Sequence, residues 1–120
     1  MGLKSNAQKA SRAKTQALDT VLAALADPHR RKVVDVLRAG PQSAGDLSRL
    51  VGLSPPAMSR HLRQLRSCGL VGETHPEYDA RVRVYALKTQ PLGELKAWLE
   101  TTERLWADQL ASFKKHLERG

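Results

Sequence analysis

The chain has 120 residues, enough for one domain with a modest core, and 20 Lys+Arg against 12 Asp+Glu give a formal net charge of +8 at pH 7. Residues 1–90 hold 15 basic and 7 acidic side chains while residues 91–120 hold 5 of each, so a basic body that suits a polyanion precedes a neutral tail with another task. No apolar run approaches the roughly 20 residues of a membrane span, no secretory leader is visible, and a single cysteine excludes an internal disulfide framework, which sets the expectation of a cytoplasmic protein.

Residues 1–14 are polar, with Lys4, Lys9, Arg12 and Lys14. They carry too little apolar surface to order themselves, so a disordered basic tail is expected ahead of a folded domain at 15–120. From Thr15 to Ala26 the residues Ala17, Leu18, Val21, Leu22 and Leu25 recur at helical spacing. Asp27-Pro28 pairs a capping side chain with proline at a first helical position, so a second helix starts there. Val33, Val34, Val36 and Leu37 supply its core face, and Gly40-Pro41 stops it. His29, Arg30, Arg31 and Lys32 crowd positive charge into its first turns, which is locally unfavourable. A nearby phosphate, or plain exposure and screening, would each account for that.

Ser43-Ala-Gly-Asp46 has the spacing of a capping box and is followed by Leu47, Leu50, Val51 and a stop at Gly52. Ser54-Pro55 then caps and opens a fourth helix, which Gly69 ends. At about 100° per residue, Met58, Leu62 and Leu65 form one stripe, His61 borders it, and Pro56, Ser59, Arg60, Arg63 and Ser67 take the opposite side. Two helices with a short connection, the second longer and basic, make a helix-turn-helix.

After Gly69 the pattern changes to strands, with Leu70–His75, a turn over Pro76–Ala80, and a β-branched and aromatic run from Arg81 to Leu87. A hairpin directly behind a recognition helix is a wing. The last segment, about 91–117, reads as one long helix with Leu92, Leu95, Leu99, Thr102, Trp106, Leu110, Phe113 and Leu117 in threes and fours. A core of this size covers so long a stripe poorly, which points to a dimer interface; a helix folded back on its own domain is the alternative.

The expected architecture is therefore mainly α with a small β-hairpin wing: a winged helix-turn-helix dimerising through its first and last helices. Arginine pairs bidentately with guanine, so Pro56, Ser59, Arg60 and Arg63 are the expected base contacts. Ser43, Ser54, His61, Arg81 and Arg83 are the expected phosphate contacts, although Glu77 and Asp79 at the wing tip oppose that role for the last two. Leu18, Leu22, Leu95, Leu99, Trp106, Leu110 and Phe113 are the expected dimer interface. The expected function is a sequence-specific DNA-binding regulator, a homodimeric repressor. The alternative is a winged-helix module that binds protein with its basic face merely solvated, and steep loss of binding with salt would separate the two.

No Gly-rich phosphate loop, Cys-His pair or Ser-His-Asp arrangement suggests catalysis, so no enzyme is expected. The four histidines lack ligand spacing, so no metal or other cofactor is expected. Cys68, beside the Gly69 stop, reads as a half-buried packing residue. No residue discloses an inducer.

The combined string Leu25-Ala-Asp-Pro-His-Arg-Arg-Lys-Val-Val, then Ser43–Leu53, Ser54–Val71 and Arg81–Leu87, resembles the ArsR family of bacterial winged-helix transcription repressors over about residues 18–117. The resemblance implies a homodimer built from the first and last helices, with two recognition helices in successive major grooves. Such a dimer reads an imperfect inverted repeat with half-site centres about 10 bp apart. Metal-sensing members carry Cys-x-Cys where this chain has Ser43 and Gly45. The paired Asp-x-His and His-x-x-Glu spacings of the last helix are also missing, so the resemblance is to a branch without metal ligands.

Overall fold

The structure is a computed structural model that describes residues 3–76, 79 and 81–119, with side-chain surroundings from residue 6 onward. Its first helix, α1, spans Leu3–Leu25. It therefore runs back through the segment expected as a disordered tail. Ala7, Gln8, Lys9, Ala10, Arg12, Ala13 and Lys14 are all strong helix formers, with no glycine or proline among them. Val21 and Ala24 are buried and fix the C-terminal turns, from which a helix extends with little further cost. Every side chain from Asn6 to Ala17 is exposed. Composition registers that missing burial but not the helix propensity that offsets it.

Helix α2 spans Pro28–Leu37 and starts as expected. The Asp27 carboxylate accepts from the backbone N–H of His29 at 2.8 Å and of Arg30 at 3.2 Å. Strand β1, Gln42–Ser43, follows and leads into helix α3, Ala44–Val51. Ser43 caps α3 by accepting from Asp46 N–H at 3.1 Å. The Asp46 side chain pairs with Arg49 instead of returning the bond, so the capping box is half made. Gly52, at φ 78°, turns the chain towards helix α4, Pro55–Ser67.

Strands β2, Val71–Thr74, and β3, Val84–Leu87, form the wing's antiparallel pair, with Glu73 opposite Tyr85. Two differences from the expected hairpin follow. β1 adds to β3 through Gln42↔Tyr85 and Ser43↔Val84, so the sheet has three strands in the order β1-β3-β2. A two-residue strand leaves no alternation to read in a sequence. The second wing strand begins at Val84, so Arg81 and Arg83 precede it and lie outside regular structure. Glu77, Tyr78 and Ala80 lie outside the described residues.

Leu47, Met58, Leu65, Leu70 and Val33 are fully buried where α2, α3 and α4 meet the sheet, with Tyr85 and Val71 closing the core from the wing. Helix α5, Gln90–Arg119, contributes no buried residue. Leu92 and Leu95 in its first turns rest on the core, and the helix then continues away from it. At about 1.5 Å per residue its 30 residues reach about 45 Å. A chain of this length folded upon itself has a radius of gyration of about 14 Å. This protomer has 19.7 Å and extends 68 × 44 × 22 Å.

Candidate nucleic-acid interface

Helix α4 is held at both ends by its own sequence. At the start, Ser54 Oγ accepts from Ala57 N–H at 3.3 Å, and Pro55 occupies a position where no backbone donor is needed. At the end, Gly69 at φ 79° lets Gly69 N–H reach Arg66 O at 3.1 Å and Leu70 N–H reach Leu65 O at 3.0 Å. The two leucines so joined are both fully buried, which is the hydrophobic contact that accompanies this type of helix stop. Met58, Leu62 and Leu65 face the core. Pro56, Ser59, Arg60 and Arg63 are exposed, together with Gln64 and Ser67. A helix seated this way offers guanidinium, hydroxyl and amide groups on one open face, which is the chemistry that reads base edges.

The basic cluster of α2 has a cause that the sequence could not display. Arg30 Nε donates to Ala24 O at 2.7 Å, and Nη2 to Ala23 O at 3.4 Å. Arg31 Nη1 donates to Leu25 O at 2.6 Å and to Ala26 O at 3.2 Å. Both arginines thus satisfy carbonyls at the C-terminus of α1, where positive charge is favoured. The N-terminus of α2 carries cations because the end of another helix is adjacent.

Arg30 also joins α2 to the recognition helix. Its Nη1 lies 3.5 Å from His61 Nδ1 and 4.0 Å from Asp27 Oδ2. His61 is half-buried there, its ring centroid 5.7 Å from that of His29. Partial burial raises the Asp27 carboxyl, but the Arg30 and His29 backbone N–H groups, with His61 and the Arg30 guanidinium, outweigh it and hold Asp27 below its ordinary 3.8. Ligand atoms of Asp27, His29 and His61 lie within 4.8 Å of one another and form a three-donor group of metal-binding type. The Arg30 guanidinium already bridges two of those donors and is anchored to α1, so a divalent cation would meet a fixed positive charge there. Arg30, Arg60, His61, Arg63 and Gln64 line an open depression of about 400 Å³ along the front of α4.

The wing approaches α4 from the other side. Glu73 receives Arg66 Nη1 at 2.6 Å on one carboxylate oxygen and Arg83 Nε at 3.3 Å on the other. Arg81 Nε pairs with Asp79 at 3.3 Å while its side chain remains 93% exposed. Both wing arginines thus have carboxylate partners on their own chain, Asp79 for Arg81 and Glu73 for Arg83, while Glu77 lies outside the described residues. Ser59, Leu62, Arg63, Arg66, Arg83 and Tyr85 line a cleft between helix and wing. Cys68 is half-buried and donates to Leu65 O at 3.3 Å.

The structure thus collects Pro56, Ser59, Arg60 and Arg63 on one open face, with Arg83 across the cleft. Ser43 and Ser54 serve as helix caps, and His61 is turned against Arg30 and His29. Sequence reasoning missed Gln64, Arg66 and Glu73, and the tertiary partners of Arg30. Gln64 was within reach, four residues after Arg60 on the same helix face; the others depend on tertiary neighbours.

No helix among the described residues is long and apolar enough to cross a membrane. Residues 27–73, from the Asp27 cap to Glu73, match the family described as bacterial regulatory protein, arsR family. The transcriptional repressor SdpR of Bacillus subtilis is 29% identical over 82 residues, covering 68% of this chain and 88% of SdpR. The HTH-type transcriptional regulator Rv2034 of Mycobacterium tuberculosis is 33% identical over 100 residues, covering 83% of this chain and 88% of Rv2034. The homodimeric winged helix-turn-helix DNA-binding domain of Mb0332 from Mycobacterium bovis shares the fold at a TM-score of 0.62 and 19% identity, over 91% of this chain and 95% of that one. With a recognition helix, a wing and near-complete coverage of two such regulators in agreement, this chain belongs to the ArsR family and is a transcriptional regulator with a winged-helix DNA-binding domain.

Proposed function

We propose that the protein is a cytoplasmic, non-enzymatic repressor that binds an inverted-repeat operator as a homodimer and blocks polymerase by covering the promoter. The exposed face of α4 over its buried Met58, Leu62 and Leu65 carries this reading. Pro56, Ser59, Arg60 and Arg63, joined by Gln64, read bases in the major groove. Ser43 and Ser54 meet phosphates at two helix N-termini, where the backbone favours anions. Arg81 and Arg83 meet phosphates through the N–H donors left outside their carboxylate bonds, and His61 contributes only where its ring edge reaches past Arg30.

Dimerisation is supported by Leu99, Leu105, Trp106, Leu110, Phe113 and Leu117, a continuous apolar stripe exposed along α5. Leu18 and Leu22 of α1 and Leu95 of α5 extend it towards the core. A twofold axis between paired α5 helices spaces two recognition helices about one turn of DNA apart. Repression accords with the similarity to the repressor SdpR, and dimerisation with the fold shared with the homodimeric Mb0332 domain.

The test is selection of fragmented genomic and random duplex DNA on the purified protein, followed by sequencing. One enriched inverted repeat with half-site centres about 10 bp apart is the expected result. Salt-sensitive capture without any motif would overturn the operator reading.

A further inference from the structure

We propose that Glu73 is a positioning residue that locks the wing to the recognition helix and so sets how sharply this protein separates its operator from bulk DNA. The proposal rests on the operator reading above. Glu73 pairs with Tyr85 across the β2–β3 ladder, and Arg83 lies two residues before Tyr85. Arg83 stands just ahead of β3, and its Nε reaches Glu73 at 3.3 Å beside the cleft that Arg83 and Tyr85 help to line. Arg66 arrives at the same carboxylate from the last turn of α4. One acid thus ties two elements together, each oxygen serving a different guanidinium.

The bridge is sheltered where most surface ion pairs are not. Only 14% of the Glu73 side chain is accessible, although its partners Arg66 and Arg83 are 49% and 64% exposed. That low exposure of the carboxylate strengthens the attraction relative to an open pair. By contrast, Arg81 with Asp79 is open and links residues of the same turn. The two arginines of the Glu73 bridge, Arg66 and Arg83, line the same cleft as Ser59 and Arg63.

Its effect on DNA follows from what each binding mode requires. Non-specific binding needs positive charge near phosphates and tolerates a loose wing. Operator binding needs helix and wing at a fixed separation, and every side chain or segment left mobile beforehand must be ordered on contact. Glu73 neutralises one of the two arginine charges that bulk DNA would exploit and orders both arginines in advance. The Arg83 side chain stays 64% exposed beside Glu73, so its guanidinium remains open to a phosphate.

The test uses the full-length protein with two variants, Glu73→Gln and Glu73→Asp, and the operator recovered by selection. Glu73→Gln removes the charge at constant shape. Glu73→Asp keeps the charge but is one methylene too short to span both guanidinium groups. Both variants are expected to lower the ratio of operator to non-specific affinity about tenfold. Glu73→Gln should also steepen the non-specific salt slope by about 1. Both should shift the guanidinium N–H resonances of Arg66 and Arg83 in the free protein, through Nη1 of the first and Nε of the second. An unchanged ratio in both variants, or a Glu73→Asp protein matching wild type, overturns the proposal, because charge alone then explains the residue. If wild type recovers no operator, the operator reading fails separately, and Arg66 and Arg83 guanidinium resonances unmoved by either substitution still overturn the bridge.

Discussion

Replacing Trp106 with glutamate tests the reading of α5 most directly. In the protomer the Trp106 residue is 61% exposed, in the middle of the stripe from Leu99 to Leu117. An aromatic side chain offers about 150–250 Å². Covering the open part hides about 100–150 Å² per copy, which at about 25 cal/mol per Å² contributes about 3 kcal/mol. A twofold interface contains two copies, so the substitution removes about 6 kcal/mol and also forces two carboxylates to lose hydration. Even half of the apolar contribution corresponds to a dimer weakened about 100-fold. Sedimentation velocity across a concentration series measures this directly, with circular dichroism to confirm that the helices persist. A Trp106→Glu protein that dimerises with wild-type affinity would refute the assignment of α5 as the interface. Operator affinity gives a second readout: a protein reduced to monomer should bind a full inverted repeat no better than an isolated half-site.

Other outcomes follow from individual side chains. Arg60→Ala should cost about 1–3 kcal/mol in operator affinity and relax preference at one base position of each half-site, as read by repeating the selection with the variant. Ser54→Ala removes the cap on α4 and should lower unfolding stability by about 1 kcal/mol in a denaturant titration, with affinity falling alongside. Asp27→Asn keeps the cap geometry but removes the charge. Because the folded Asp27 carboxyl lies below its ordinary 3.8, its charged form stabilises the protein above that pH and stops doing so as pH falls through the folded value. Wild type should therefore melt higher than the variant at neutral pH, and the gap should close below pH 3.8.

The parts of this fold that the sequence makes legible are those whose cause is local. Asp27-Pro28, Ser43, Ser54-Pro55 and Gly69 each set a helix end with atoms no more than a few residues away, and the structure places caps or stops at all of them. Met58, Leu62 and Leu65 announce their common face through a period of about 3.6 residues, and the exposed set opposite them follows. What stays hidden is set by partners distant in sequence. The cations at the start of α2 make sense only beside the carbonyls ending α1, and Glu73 only between Arg66 and Arg83. β1 exists because Tyr85 and Val84 offer it an edge. The extra turns of α1 depend on weighing propensity against missing burial, which composition alone does not do.

Arg30 has a wider consequence. One side chain grips the terminal carbonyls of α1 and meets His61 on the recognition helix. Helix α1 packs against α5, so the protein's reading head is mechanically coupled to the helix pair assigned to subunit pairing. Arg30 thereby links α4 to α1 and, through α1, to α5 in one chain of contacts that crosses the whole protomer.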